Sequence, residues 1–318
     1  MDVSSLIEGV LAGDRRAVAR AISMVEDGAR GLAELSAGLY PHTGQAYTIG
    51  LTGSPGVGKS SLAQHLVKQA RERNHAVAVL AIDPTSPFTG GALLGDRLRM
   101  QEHATDRGVF IRSMATRGHL GGMALAAPEA MRILDASGKD VVMVETVGVG
   151  QAEVEVATAT DTAVVVVSPG WGDAVQVAKA GILEVADVFV VNKAEKEGAQ
   201  EAARDLRHML KMGPAPDWLP PVVLTSTVSG EGIDELWDAI EGHRKHQEST
   251  GDVLQKRRDR LLNEVEGMAA QEFRQLTRGA LEADSELARS LEQREVDPYR
   301  AAAILLERAS TPDPHTGS

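Results

Sequence analysis

From Tyr47 onward the chain alternates short, β-branched apolar runs with longer stretches whose apolar positions recur every three to four residues. The first pattern marks buried strands, the second amphipathic helices. Strands are predicted over 47–52, 76–82, 109–112, 140–145, 162–167, 187–191 and 221–225. Helices are predicted near 60–73, 96–104, 123–137, 152–158, 174–184, 198–211 and 232–243. Such alternation implies an α/β fold with a mostly parallel central sheet covered on both faces. Before Tyr47, the residues Leu6, Val10, Leu11, Val18, Ile22, Val25, Leu32 and Leu35 stand at helical spacing among acids and arginines. They predict two or three helices, broken near Pro41-His42-Thr43-Gly44. Beyond His246 the pattern turns purely helical through Leu261, Val265, Met268, Phe273 and Leu276, with shorter segments around 284–293 and 298–309. The Pro-, Thr- and Gly-rich tail from Ser310 is expected to fray. The expected organisation is a helical extension over 1–46, an α/β domain over 47–246 and a helical arm over 247–318.

Composition narrows the classes of partner. A formal charge of −12 across 318 residues offers no basic face on which nucleic-acid phosphates could displace their counterions. Aromatics at 3% leave the core to Val, Leu, Ile and Ala. The absence of cysteine removes disulfides and thiolate metal sites. No basic segment followed by an apolar core opens the chain, and its apolar runs are too short to span a bilayer. The expectation is a soluble cytoplasmic protein with neither nucleic acid nor membrane as partner.

The candidate chemistry starts where the first strand ends. Gly53-Ser54-Pro55-Gly56-Val57-Gly58-Lys59-Ser60-Ser61 matches G-x-x-x-x-G-K-[ST] between a predicted strand and a predicted helix. Such a loop turns successive backbone N–H groups toward an anion and sets a helix N-terminus beneath it. Lys59 should reach the terminal phosphates and Ser60 should hold a magnesium ion through its hydroxyl. Asp83 closes the second strand, Asp96 follows the glycine-rich stretch Thr89 to Gly95, and Glu145 closes the fourth strand ahead of Gly148. An acid at a strand end with glycine three residues on resembles the magnesium-coupled switch of G proteins. Asp83, Asp96 and Glu145 are therefore the candidate acids around Ser60 and the metal. Asn192-Lys193-Ala194-Glu195 lies close to the guanine-reading N-K-x-D. A carboxylate there accepts the two parallel N–H donors of the guanine edge, which adenine does not offer. Glu is one methylene longer than Asp, so loop or base must shift. Ser226 and Thr227 follow the last predicted strand, where G proteins make a further contact to the base. His243 and His246, three apart beside Arg244 and Lys245, read as a solvated helix end rather than a metal pair.

Taken together, these residues resemble the MeaB/ArgK G proteins, also described as methylmalonyl-CoA mutase-associated chaperones, within the signal-recognition/MinD-like class of P-loop GTPases. The resemblance runs from Tyr47 to His246 and is carried by Gly53 to Ser61, Ala81 to Ser86, Thr89 to Asp96, Glu145 to Gln151 and Gly181 to Glu184. It implies magnesium-dependent GTP hydrolysis coupled to gating adenosylcobalamin loading onto, and protection of, an acyl-CoA mutase. It also implies GTP or GDP as the bound nucleotide and a homodimer built through the arm. By the same resemblance Lys59, Asp83, Glu145 and Lys179 serve catalysis, and Pro169 through Lys179 form an additional switch that includes Asp173 and Gln176. Trp171, Ala174 and Ala180 depart from the family pattern, which bears on the client rather than the nucleotide. The cobalamin-binding pattern D-x-H-x-x-G is absent, because Asp313-Pro314-His315-Thr316-Gly317 lacks its glycine at the required place. Two other readings stay open: a metal-insertion GTPase, and a transport-associated kinase or ATPase.

Overall fold

The computed structural model describes residues 2–84, 105–116, 122–146, 152–170, 182–212 and 217–310. They divide into two compact units, Met1–Arg260 and Leu261–Ser318. The first unit opens with helices α1 (Val3–Leu11), α2 (Arg15–Glu26) and α3 (Leu32–Leu39) and a short 3-10 turn at Tyr40–His42. Asp2 and Asp14 cap the first two helices, Asp2 accepting from the Ser5 N–H at 2.7 Å and Asp14 from the Ala17 N–H at 2.8 Å. The remaining elements are β1 (Tyr47–Thr52), α4 (Lys59–Glu72), β2 (Val77–Pro84), β3 (Val109–Thr116), α5 (Gly122–Ala136) and β4 (Val141–Thr146). They continue with α6 (Ala152–Ala159), β5 (Thr162–Val167), α7 (Ile182–Val185), β6 (Val188–Asn192), α8 (Ala199–Leu210), β7 (Val222–Thr225) and α9 (Ile233–Thr250). The long helix α10 (Asp252–Ala283) begins in this unit.

The sheet has seven strands in the order β3-β2-β4-β1-β5-β6-β7, and every pairing is parallel. The connection from β1 leads across β4 to β2, and a later one leads from β4 back across β1 to β5. The chain therefore reverses its direction across the sheet at these central strands, the place where open α/β sheets take ligands at their strands' carboxyl ends. Apolar runs on both faces of each strand follow from burial on both sides. On one face Leu80, Ile82, Phe110, Met114, Val142 and Val144 pack against α1 to α3 and α5. On the other, Ile49, Leu51, Val79, Met143, Val164 and Val190 pack against Leu62, Leu66 and Val67 of α4 and against Leu236, Trp237 and Ile240 of α9. A smaller cluster joins Val165, Val167, Phe189 and Val191 to Ala203 and Leu206 of α8.

At the opposite edge, acids at the strand starts satisfy N–H groups that parallel pairing leaves free. Asp140 accepts from the Ala76 N–H at 2.6 Å, Asp161 from Thr48 at 3.0 Å and Asp187 from Ala163 at 2.9 Å. Asp161 also binds Arg257 at 2.7 Å and Arg260 at 2.5 Å, fastening the first turns of α10 to the foot of β5. Burial alone would raise the Asp161 carboxyl, but the Arg257 hydrogen bonds and the two guanidinium charges outweigh it and bring it down to about 2.

His243 overturns its expected place at a solvated helix end. Helix α9 runs on to Thr250, and the ring is 2% exposed, bonded to Thr162 Oγ1 at 2.8 Å and to Asp187 at 3.2 Å. Burial raises the Asp187 carboxyl, and the His243 bond then draws it below its ordinary value. In the second unit Leu287 of α11 (Ser285–Glu292) packs with Ala301 and Leu305 of α12 (Pro298–Ser310). No described helix is long and apolar enough to cross a membrane.

Candidate nucleotide site

Because all seven strands are parallel, their carboxyl ends share one edge, and most of the candidate residues gather there. Gly53 follows β1 with φ +137°, and a Cβ on it would stand 2.0 Å from the Val166 carbonyl oxygen. Gly58 has φ +103°, and a Cβ there would lie 2.3 Å from Asn192 Nδ2. Both positions therefore need glycine, by conformation and by space. Ser54 is half-buried, Pro55 and Gly56 are exposed and Val57 is buried, so the loop is rooted at Val57. Lys59 and Ser60 open α4, with Ser61 half-buried in the same first turn. The Lys59 side chain, 5% exposed, donates to the carbonyls of Gly53 at 2.5 Å and Ser54 at 3.0 Å. Its charge is held against the loop's own backbone.

Glu145, 4% exposed, stands in β4 in register with Leu51 of β1 and Ala81 of β2. The Ser60 hydroxyl donates to its carboxylate at 2.5 Å. The β2 backbone continues two residues past Ala81 to Asp83, which pairs with Ala115 at the same edge. Ser60 and Glu145 thus bring two hard oxygen donors together at the start of α4, chemistry that suits magnesium. Among the described residues no three His, Cys, Asp or Glu side chains converge as a protein-only metal cage. A small donor set fits an ion that keeps its waters and takes its other ligands from phosphate. Asp96, Gly148, Lys179 and the switch segment with Trp171, Asp173, Ala174, Gln176 and Ala180 lie outside the described residues.

On the other side of the loop, Asn192 is fully buried at the end of β6. Its amide donates to the Val57 carbonyl at 2.7 Å while its oxygen accepts from Thr225 Oγ1 at 3.1 Å. Lys193, in the left-handed region at φ +62°, donates to the Gly56 carbonyl at 2.6 Å. Glu195 is exposed, and the neighbouring Ser226 hydroxyl holds its carboxyl below the usual range. The loop carrying Ser226 and Thr227 is closed by Ser226 N–H to Glu231 at 2.9 Å and Gly230 N–H to Ser226 at 2.8 Å. A contact that the sequence pattern had not singled out joins the two halves: His65 Nε2 on α4 lies 3.0 Å from the Thr227 carbonyl. No spacing rule marks that histidine, which on helical periodicity reads as one more half-buried polar position.

A profile of the family described as methylmalonyl-CoA mutase-associated GTPase MeaB matches residues 18–282. The chain belongs to the MeaB family. Among MeaB-family relatives, a Pyrococcus abyssi protein provisionally named a GTPase is 49% identical over 314 residues, covering 96% of each chain. GTPase ArgK of Escherichia coli is 34% identical over 315 residues, covering 96% of this chain and 91% of that one. The mouse protein named methylmalonic aciduria type A homolog, mitochondrial, is 34% identical over 274 residues, covering 80% of this chain and 66% of its own length. The crystal structure of an LAO/AO transport system kinase superposes with a TM-score of 0.73 at 26% identity, covering 97% of this chain and 98% of that one. This MeaB-family GTPase therefore has the P-loop α/β fold with the helical additions that its sequence predicts.

Proposed function

We infer that this MeaB-family GTPase hydrolyses GTP in the presence of magnesium and uses the cycle to gate adenosylcobalamin loading and protection of an acyl-CoA mutase. The observation that carries the nucleotide half is the two-sided Asn192 bond, which ties the phosphate loop at Val57 to the loop that begins at Thr225. One buried amide tying a candidate phosphate-binding loop to a candidate base-reading loop supports a site that takes a whole nucleoside triphosphate. The family match and the mouse relative support the mutase as client.

In this reading the N–H groups of Gly53 to Ser61 hold the phosphates, Lys59 leaves the Gly53 and Ser54 carbonyls for the terminal phosphate, and Asn192, Lys193 and Glu195 hold guanine with Ser226 and Thr227. Ser60, Asp83, Asp96 and Glu145 would hold the magnesium ion, which supplies charge neutralisation between the terminal phosphates. Asp83 and Glu145 orient the attacking water, Gly148 senses the terminal phosphate, and Lys179 belongs to the switch that reports its loss. The exposed residues Leu262, Val265 and Leu276 along α10 support a homodimer formed through the arm.

Nucleotide competition against bound GDP tests the first half. Guanine nucleotides should displace it and adenine nucleotides at equal concentration should not. Equal displacement by ATP would favour the transport-associated kinase reading, which the name of the superposed crystal structure keeps as the alternative. For the client, the decisive observation is which mutase co-purifies in the presence of a non-hydrolysable GTP analogue.

A further inference from the structure

Among the described residues, three hydrogen bonds join the phosphate half of the site to its base half. Two come from residues of the base motif itself, Asn192 to Val57 and Lys193 to Gly56. The third comes from the other direction: His65, on the second turn of α4 behind Lys59, meets the Thr227 carbonyl at 3.0 Å. For that contact to bond, His65 must carry its proton on Nε2, because a carbonyl only accepts. Thr227 follows Ser226, whose backbone N–H and carbonyl are already fixed by Glu231 and Gly230. Drawing on Thr227 therefore moves a closed turn as a body, and that turn is joined to the Glu195 loop by the Ala194 N–H, which donates to the Thr225 carbonyl at 2.9 Å. Glu195 itself is exposed, with one more rotatable bond than the aspartate of N-K-x-D, so its position depends on how the loop that carries it is held.

We propose that His65 is a positioning residue for base recognition: through the Thr225–Thr227 turn and its bond to Ala194 it fixes where the longer Glu195 carboxylate meets the guanine edge. It does not touch nucleotide. The proposal rests on the guanine-nucleotide reading given above and extends it to selectivity. Guanine offers Glu195 two N–H donors, whereas hypoxanthine lacks the exocyclic amine and offers one. Misplacing the carboxylate therefore costs GDP more than IDP, while a general loosening of the loop costs both alike.

The test measures dissociation constants of GDP, IDP and ADP for the full chain in magnesium buffer, comparing wild type with His65→Ala, His65→Phe and His65→Gln. Glutamine places an amide donor near the position of Nε2; phenylalanine keeps the ring's bulk and removes the donor, which preserves the test should the alanine variant fold poorly. The GDP-over-IDP preference should fall by about 3- to 10-fold in the alanine and phenylalanine variants, the range expected for one hydrogen bond, and recover in the glutamine variant. An unchanged ratio in the phenylalanine variant, or a glutamine variant no better than phenylalanine, overturns the role of His65 and leaves the GTPase reading standing. A wild type that binds ADP as tightly as GDP removes that reading and this proposal with it.

Discussion

In the proposed reading Lys59 binds the nucleotide and Glu145 serves its hydrolysis, so their variants should separate. Lys59→Ala removes the cation that the loop carries at its helix start, and GDP binding followed by fluorescence titration should be lost. Glu145→Gln keeps the shape of the side chain that accepts from Ser60 but removes its charge. Nucleotide should still bind, with hydrolysis slowed at least tenfold in single-turnover assays and the magnesium requirement shifted upward; equal hydrolysis to wild type would remove Glu145 from the reaction. Gly58→Ala tests the cradle from a different side, since its methyl would press on Asn192 at a backbone angle few side chains adopt. Its GDP affinity should fall by more than an order of magnitude, an outcome read by the same titration. At this scale the sequence exposed whatever lies within a short motif: Gly53 to Ser61 and Asn192 to Glu195 are contiguous, so their spacing is readable. His65 was not readable, because its partner Thr227 is far along the chain and a carbonyl has no residue-type signature.

At the scale of elements, the strand forecasts match because burial on both faces leaves long Val and Ala runs that nothing else in the chain imitates. Strands β2 and β3 reach further than predicted, to Pro84 and Thr116, where Asp83 pairs with Ala115 and Pro84 with Thr116, residue types that carry no β-branched apolar signal. The predicted helix at 96–104 lies outside the described residues. The acids that begin strands went unread, since a loop aspartate before an apolar run is ordinary and only the fold delivers Arg257 and Arg260 to Asp161. That cluster makes a quantitative prediction. A carboxyl lowered from 3.8 to about 2 contributes stability that is complete above pH about 4 and lost as pH falls through about 2. The lowering corresponds to about 2 kcal/mol. Asp161→Asn should therefore melt lower than wild type at pH 7 by the equivalent of about 2–3 kcal/mol, with the gap closing as the pH is brought toward 2; a gap constant with pH would mean that packing, not charge, is what the side chain supplies.

For the molecule as a whole, the relation between hydrolysis and a client is the matter to measure. Turnover of the chain alone should be slow, on the order of 10⁻³ per second, and faster with the mutase present. Rapid unassisted turnover would speak against a chaperone. Light scattering on the full chain should give a dimer mass if the apolar face of α10 meets a second copy, whereas a monomer at all concentrations would return that helix to an intramolecular or client role. The Asp161 cluster carries one more consequence. The arm's root is pinned to the foot of β5, while the nucleotide loop leans on the other end of the same sheet through the close approach of Gly53 to Val166. A fully paired strand hardly stretches, so β5 holds these two contacts at a fixed separation of about 20 Å, near 3.3 Å for each of its six residues. One residue inserted into β5 would turn every side chain beyond it to the opposite face of the sheet and undo that separation.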